Sequence, residues 1–298
     1  MLPPVRSAPL RARLAASLLG LAALAPAGAA QETVTRRPPD VPFVPTPPEV
    51  VDAMLRLAGV TSSDVVYDLG CGDGRIVIAA AKRYGARGVG VDIDPERIRS
   101  ARANADSARV SGRVRFLEQD LFQTDIRPAT VVTLYLLPSV NEKLRPTLLR
   151  TLRPGTRVVS HAFDMGDWQP DAHLEVGGRN VYFWLIPADV QGEWTWETRG
   201  PEGPERYSAR LEQKYQQVTG RVTAGRDTVP ITRLRLAGDS LTLAFARAGQ
   251  EMEYRGRVSG DAIRGVVTIG TAPGGGQPWS ARRIRRTARA PADSAAGP

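Results

Sequence analysis

The fold of this chain is decided by the segment Val65-Val66-Tyr67-Asp68-Leu69-Gly70-Cys71-Gly72-Asp73-Gly74-Arg75. Its first five residues are mostly β-branched, aromatic or apolar, which predicts a short buried strand. The residues from Ile76 to Tyr84 predict a helix, and Gly85 predicts its end. A strand, a glycine-rich turn and a helix in this order form nucleotide sites at the carboxyl ends of strands in α/β sheets.

The spacing of the glycines separates two kinds of nucleotide site. A dinucleotide fingerprint has the form G-x-G-x-x-G, whereas here the third glycine is Gly74 and Arg75 follows it. The pattern is instead D-x-G-x-G-x-G, and Asp68 leads it. On the glycines alone, a tight turn in an unrelated α/β protein is the alternative.

Acidic residues follow the next two predicted strands. Asp92 ends the strand that begins at Gly88, about 20 positions after the glycines, where a carboxylate can accept hydrogen bonds from both hydroxyls of a ribose. Asp94 is assigned instead to the start of the helix that Pro95 opens. Asp120 lies at the exit of the third strand, where an isolated aspartate is usually a turn residue.

Together these residues resemble the cofactor motifs of class I S-adenosylmethionine (SAM)-dependent methyltransferases, over roughly residues 41 to 187. The lead Val41-Pro42-Phe43-Val44-Pro45-Thr46-Pro47 and the segment from Asp68 to Ala81 are similar to the mitochondrial protein-lysine N-methyltransferases of adenine nucleotide translocase and the ATP synthase c subunit. A weaker likeness is to the non-SET histone-lysine methyltransferases. The resemblance implies a Rossmann-like seven-stranded methyltransferase sheet, SAM as cofactor and a protein lysine as methyl acceptor.

The same resemblance implies the residues of the site. Those expected to bind the cofactor, with the last two beside the adenine, are Asp68, Gly70, Gly72, Asp92, Asp120 and Leu121. A lysine acceptor must be neutral, and an apolar slot lowers its pKa. The residues expected at this slot are Tyr135 and His161 in catalytic roles, Thr46, Pro138 and Trp168 as substrate contacts, and Phe163. His161 could take a proton or serve only as a hydrogen-bond partner, and no metal site is predicted.

A second, β-rich domain is expected after the first. The last strand of the first domain is expected from Val181 to Pro187, and from about Gln191 alternating segments with glycine turns predict a small antiparallel all-β barrel or sandwich. The aromatic residues expected to fill or line it are Trp194, Trp196, Tyr207, Tyr215 and Trp279. The predicted organisation is a signal peptide (1–29), a proline-rich lead (30–49), a methyltransferase domain (50–187), a β-rich accessory domain (188–288) and a disordered tail (289–298).

The N-terminus predicts an exported protein. Arg6, Arg11 and Arg13 precede an apolar run from Leu14 to Ala25, and small residues follow as far as Ala30. This is the pattern of a secretory signal peptide, cut after position 29, and it implies a periplasmic or other extracytoplasmic location. The alternatives are a transit peptide and an uncleaved anchor that keeps the protein close to a membrane.

Charge and cysteine content exclude several classes of site. The formal net charge is +9, and its one concentration after the N-terminus is the arginine cluster between Arg282 and Arg289. That cluster could meet nucleic acid or an anionic membrane, but a solvated tail is the favoured interpretation. No zinc finger or aromatic RNA-binding motif is present, so no nucleic-acid partner is expected. Cys71 is the single cysteine, which excludes an intramolecular disulfide and a cysteine-based metal site.

Two other functions stay open at this stage. The acceptor could be a small molecule instead of a protein. Alternatively, the chain could be an exported SAM-binding or ligand-binding protein that acts through its β-rich domain without catalysis, because SAM is made in the cytoplasm.

Overall fold

Alternating strands and helices form the predicted α/β sheet in the computed structural model, which describes Pro38 and residues 41–200, 203–270 and 276–287. The predicted signal peptide and the predicted C-terminal tail lie outside the described residues. Both sheets presented below belong to one compact unit of the chain. Among the described residues, none of the helices combines the length and apolar character that a membrane crossing needs.

The first sheet has strands and helices that alternate along the chain. In order they are α1 (Pro48–Leu57), β1 (Val65–Leu69), α2 (Arg75–Tyr84), β2 (Arg87–Asp92), α3 (Pro95–Ser107), β3 (Val114–Glu118), β4 (Val131–Leu134), α4 (Pro138–Thr151), β5 (Arg157–His161), β6 (Ala172–Val176) and β7 (Arg179–Leu185). The strand order is β3-β2-β1-β4-β5-β7-β6, and β1 to β5 are parallel. The predicted Rossmann-like seven-stranded sheet is confirmed. Because the strand order reverses between β1 and β4, their carboxyl ends flank the crevice in which such sheets bind ligands.

The far edge of this sheet differs in detail from the sequence expectation. The expected last strand is present as β7, and it runs antiparallel to β5. A further strand, β6, precedes it and forms the sheet edge. The side chains of β6 alternate between half-buried and exposed, so its sequence lacks the apolar run by which the central strands were recognised.

The second sheet is entirely antiparallel. Its strands are β8 (Gly192–Gly200), β9 (Gly203–Lys214), β10 (Gln217–Ala224), β11 (Asp227–Val229), β12 (Ile231–Ala237), β13 (Ser240–Arg247), β14 (Gln250–Ser259), β15 (Ala262–Ile269) and β16 (Gln277–Arg285). The order is β11-β10-β9-β8-β16-β15-β14-β13-β12, and β10 also contacts β12 from the other end. The sheet therefore curls into a nearly closed barrel, as predicted.

Aromatic side chains fill the inside of this barrel. Trp196 stacks on Tyr207 with ring centroids 5.6 Å apart, and Tyr254 lies 5.0 Å from Trp279. Four of the five predicted aromatic residues are buried here, namely Trp194, Trp196, Tyr207 and Trp279. The expectation was wrong for Tyr215, which packs in the core of the first sheet instead.

The arginine cluster near the C-terminus contributes to the barrel and is only partly solvated. Arg283 is buried, and its Nη1 donates hydrogen bonds to the carbonyl of Gln191 at 2.7 Å and to Oδ2 of Asp189 at 3.1 Å. Its guanidinium also lies 4.7 Å from the centre of the Trp194 ring. The interpretation of the cluster as a solvated tail is therefore wrong for Arg283, which ties β16 to the start of the second sheet.

We expect Arg283→Ala to destabilise the protein by about 3 kcal/mol, because the carbonyl of the buried Gln191 loses its charged donor and Asp189 loses a buried ion-pair partner. The exposed neighbour Arg282 on the same strand provides the matched control, since surface substitutions usually change stability by less than about 0.5 kcal/mol. Urea denaturation followed by tryptophan fluorescence measures both changes. Equal free energies of unfolding for the two variants would contradict the structural role of Arg283.

Candidate active site

The turn between β1 and α2 is a loop that only glycine can build. Gly70, Gly72 and Gly74 have φ angles of 82°, 52° and 79°, in the left-handed region that side chains rarely adopt. The amides of Gly70 and Cys71 both donate to the carbonyl of Val91, at 2.8 and 2.9 Å. The loop is thus fixed to the end of β2 through its own backbone.

Asp92 adds a side-chain link between β2 and the same loop. Its Oδ2 accepts a hydrogen bond from the Gly72 amide at 2.8 Å, and its Oδ1 accepts one from the Asp94 amide at 3.0 Å. Asp94 in turn caps α3 by accepting from the Glu96 amide at 2.8 Å. The two acids therefore have different positions, with Asp92 at the loop and Asp94 at the helix start.

Asp68 is a buried carboxyl group at the end of β1. Burial, together with the nearby charges of Asp92 and Asp73, raises its pKa to about 7, although a hydrogen bond from the Thr133 hydroxyl at 2.8 Å opposes this rise. A cation placed beside this group would favour its charged form. The position is therefore suited to a ligand that carries an ammonium group.

Asp120 and Leu121 lie at the exit of β3. Asp120 begins a short 3₁₀-helix, Leu121–Gln123, and its Oδ1 accepts a hydrogen bond from the Phe122 amide at 2.9 Å. Both residues also line the cavity described next. Asp120 therefore has the turn position that its sequence context indicates, at a place where its side chain can also meet a ligand.

A cavity of about 340 Å³ opens at the carboxyl ends of these strands. The predicted residues that line it are Thr46, Asp68, Gly70, Asp92, Asp120, Leu121 and Tyr135. Its volume is at the lower end of the range for small-molecule sites. Glycines at the floor and acids at three strand ends fit a nucleoside that carries an amino-acid group.

The roof of the cavity is a proline-rich strap, residues 41–46, of which the sequence assigned only Thr46 to the site. Phe43 lies against Gly72, so closely that a Cβ on Gly72 would be 2.2 Å from Cε2 of the Phe43 ring. The guanidinium of Arg97 lies 4.2 Å from the centre of the same ring. At the other end of the strap, Arg75 donates from Nη1 to the carbonyl of Thr46 at 2.8 Å. Arg75 and Arg97 are thus site residues that sequence reasoning missed.

His161 lies beside this cavity, at the end of β5. Its ring centroid is 3.8 Å from that of Tyr135, and its Nδ1 is 3.2 Å from the Thr46 hydroxyl. Burial, and then the charge of Arg179, lowers its pKa to about 4, so the ring is neutral at neutral pH. Its Nε2 is buried and has no hydrogen-bond partner among the described residues. A neutral imidazole with an unused nitrogen therefore lies next to a cavity-lining aromatic ring.

Two predicted substrate contacts are not brought to the cavity. Trp168 is fully buried in the core of the first sheet, and its Nε1 donates to Oε1 of Gln216 at 2.8 Å. Pro138 is exposed as the first residue of α4, where its missing amide costs no helical hydrogen bond. Phe163 is closer, since its ring stacks at 6.4 Å from that of Tyr135. The full burial of Trp168 therefore corrects its assignment as a substrate contact, whereas the assignment of Pro138 stays a prediction.

Comparison with known proteins identifies the family. The model of the ANTKMT methyltransferase domain matches residues 68–172. A protein-lysine N-methyltransferase of Saccharolobus islandicus (strain REY15A) is 50% identical over 153 residues, which are 50% of this chain and 95% of that protein. The adenine nucleotide translocase lysine N-methyltransferase of Mus musculus is 34% identical over 152 residues, which are 51% of this chain and 64% of that protein.

A solved structure is also similar to part of the chain. An RNA methyltransferase from Salinibacter ruber, in complex with S-adenosyl-L-homocysteine, is 60% identical, covers 49% of this chain and 96% of its own, and has a TM-score of 0.49. On its match to the Saccharolobus protein, this chain belongs to the same methyltransferase family as that relative and is a class I SAM-dependent methyltransferase. Its cofactor is SAM.

Gly72→Ala should weaken SAM binding at least tenfold. The new methyl group would be 2.2 Å from Phe43 in a residue whose φ is +52°, so both the loop and the strap must shift. A left-handed alanine alone costs about 1–2 kcal/mol. Gly112→Ala is the matched control, because a Cβ there meets nothing within 4 Å. Calorimetric titration with SAM measures both variants, and equal affinities would contradict the assignment of the glycine loop to the cofactor site.

We also expect the affinity for SAM to fall with pH below about 7. Asp68 must ionise to pair with an ammonium group, and its pKa in the free protein is about 7. Each pH unit below that value should weaken binding up to about tenfold, and affinity should level off above it. Titrations from pH 5.5 to 7.5 test this expectation with Asp68→Asn, whose profile should be flat. A sloping profile in the variant would assign the effect to another group.

Proposed function

We propose that this methyltransferase transfers a methyl group from SAM to a lysine amine of a protein. The lysine acceptor in the names of the relatives supports this choice. The observation in this chain that carries it is the neutral, buried His161 ring, packed 3.8 Å from the Tyr135 ring beside the cofactor cavity. These two side chains form a largely uncharged slot of the kind that an uncharged amine requires.

Each strand end would contact a different part of the cofactor. The Gly70–Gly74 loop and Asp68 would hold its amino-acid part, Asp92 would accept bonds from the ribose hydroxyls, and Asp120 with Leu121 would contact the adenine. When bound, SAM would supply a methyl group on a positively charged sulfur. The amine lone pair would bond to the methyl carbon as the sulfur leaves on the opposite side as a neutral thioether. The residues of this chain then need only align the amine and keep it neutral.

His161 would align the amine, not act as a strong base. If Nδ1 carries the proton and donates it to the Thr46 hydroxyl, the lone pair on Nε2 is free to accept a hydrogen bond from the amine. A group with a pKa of about 4 takes up few protons at neutral pH, so the proton released by the product passes to water. The Tyr135 and Phe163 rings would face the methylated ammonium product, which is favourable for a cation.

Predicted export adds a second part to the proposal, namely that the enzyme meets its acceptor outside the cytoplasm or at a membrane surface. Fractionation of the tagged protein, with the mass of its N-terminus, tests this part independently of catalysis. A full-length chain in the cytoplasmic fraction would contradict it.

The test of function uses SAM with a tritiated methyl group, incubated separately with protein, RNA and small-molecule fractions. We expect label in protein, on lysine after acid hydrolysis. Label in RNA or in small molecules alone would overturn the proposed acceptor. No transfer despite SAM binding would instead favour a binding protein that acts through its barrel.

His161→Ala should lower kcat for methyl transfer about tenfold to a hundredfold and leave the affinity for SAM unchanged, because alignment is lost while the cofactor contacts stay. The other histidine of the chain, His173, is exposed on β6 and bonds to Asn180, so His173→Ala is the control. Steady-state kinetics with the labelled protein acceptor gives kcat. Equal kcat values for both variants and the wild type would remove His161 from the mechanism.

A further inference from the structure

The tip of the β9–β10 hairpin connects two strands of the barrel, but it packs against the core of the first sheet. Tyr215 and Gln216 form this tip, between Lys214 and Gln217. Tyr215 is only 7% exposed and has a φ of +54°, a conformation that is uncommon for a residue with a side chain. Such a conformation persists where the surrounding contacts hold it.

Contacts from these two residues hold a short stretch of the connection between β5 and β6. The Tyr215 ring stacks on Trp168 with centroids 5.7 Å apart, and its hydroxyl donates to Oδ1 of Asp167 at 2.9 Å. Gln216 accepts from Nε1 of Trp168 at 2.8 Å and donates to the carbonyl of Gln169 at 2.7 Å. Three consecutive residues are thus fixed by two residues of the hairpin.

These three residues lie in the post-β5 loop, residues 162–171, which begins next to His161. The start of this loop carries Phe163, whose ring stacks beside Tyr135 at the cavity. From α4, Asn141 donates to the carbonyl of Asp164 at 3.0 Å, and Arg145 forms an ion pair with Asp167 at 2.7 Å. The loop is therefore anchored to α4 near the cavity and to the barrel at its far end.

The barrel is an addition when compared with the archaeal relative. The matched 153 residues are 95% of that protein but only half of this chain. A protein of that length cannot contain both the first sheet and a nine-stranded barrel. The hairpin contacts are therefore a feature that this chain has beyond that relative.

We propose that Tyr215 and Gln216 are positioning residues through which the barrel fixes the acceptor side of the active site. This inference rests on the proposed function, because it assigns the slot to Tyr135, His161 and Phe163. The hairpin holds residues 167–169, the loop carries this restraint to Phe163, and the acceptor amine meets a fixed slot. The residues assigned to the cofactor lie instead at the ends of β1, β2 and β3.

The effect expected on catalysis follows from the sensitivity of displacement reactions to alignment. A misplacement of about 1 Å can lower a rate about a hundredfold. Gln216→Ala removes two hydrogen bonds and leaves the buried indole of Trp168 without its acceptor. We expect kcat to fall about tenfold while the affinity for SAM stays constant.

Hydrogen exchange of backbone amides tests whether the hairpin holds the post-β5 loop, and it needs no methyl acceptor. In Gln216→Ala, exchange in residues 162–169 should become about tenfold faster, whereas residues 68–74 should not change. Gln217→Ala is the matched control, because Gln217 is the exposed neighbour on β10. Gln216→Glu should restore only part of the protection, since a carboxylate still accepts from Trp168 but cannot donate to the carbonyl of Gln169.

The outcomes separate this inference from the proposed function. Unchanged exchange in the post-β5 loop of Gln216→Ala would show that the hairpin does not hold this loop, whatever the enzyme methylates. Faster exchange with an unchanged kcat would overturn its positioning role. If the wild type transfers no methyl group to protein, the proposed acceptor fails, and the exchange comparison still decides whether the barrel holds the loop.

Discussion

The hydrogen bond from the Gly72 amide to the Asp92 carboxylate is the contact on which the cofactor site depends. It joins the middle of the glycine loop to the end of β2, at 2.8 Å, and the two backbone bonds to Val91 reinforce it. Because Gly72 has no side chain, the Phe43 ring can pack directly on the loop. Without a fixed loop, neither the floor nor the roof of the cavity would have a defined position.

Thr46 links the cofactor side of the cavity to the acceptor side. Its carbonyl accepts from Arg75, at the start of the helix that follows the loop, and its hydroxyl meets His161 at the end of β5. A single residue of the strap therefore contacts both halves of the site. This explains why the chain places a proline-rich segment, with few accessible conformations, ahead of the sheet.

The parts of the site that could be predicted are those encoded by local spacing. Asp68, the glycines and Asp92 follow one strand-turn-helix unit and the strand after it, so their positions are set within a few residues. Trp168 and Tyr215 were misplaced because each is buried by the other, 47 positions apart in the sequence, and neither segment shows this by its own pattern. Arg283 was misjudged for the same reason, since its acceptors on Asp189 and Gln191 lie more than ninety positions away.

A crystal structure of the complex with S-adenosylhomocysteine tests most directly whether the ends of β1, β2 and β3 form one cofactor site. We expect the amino-acid part at the Gly70–Gly74 loop, both ribose hydroxyls within hydrogen-bond distance of Asp92, and the adenine beside Asp120 and Leu121. A ligand bound elsewhere, or in this cavity with its ribose away from Asp92, would contradict it.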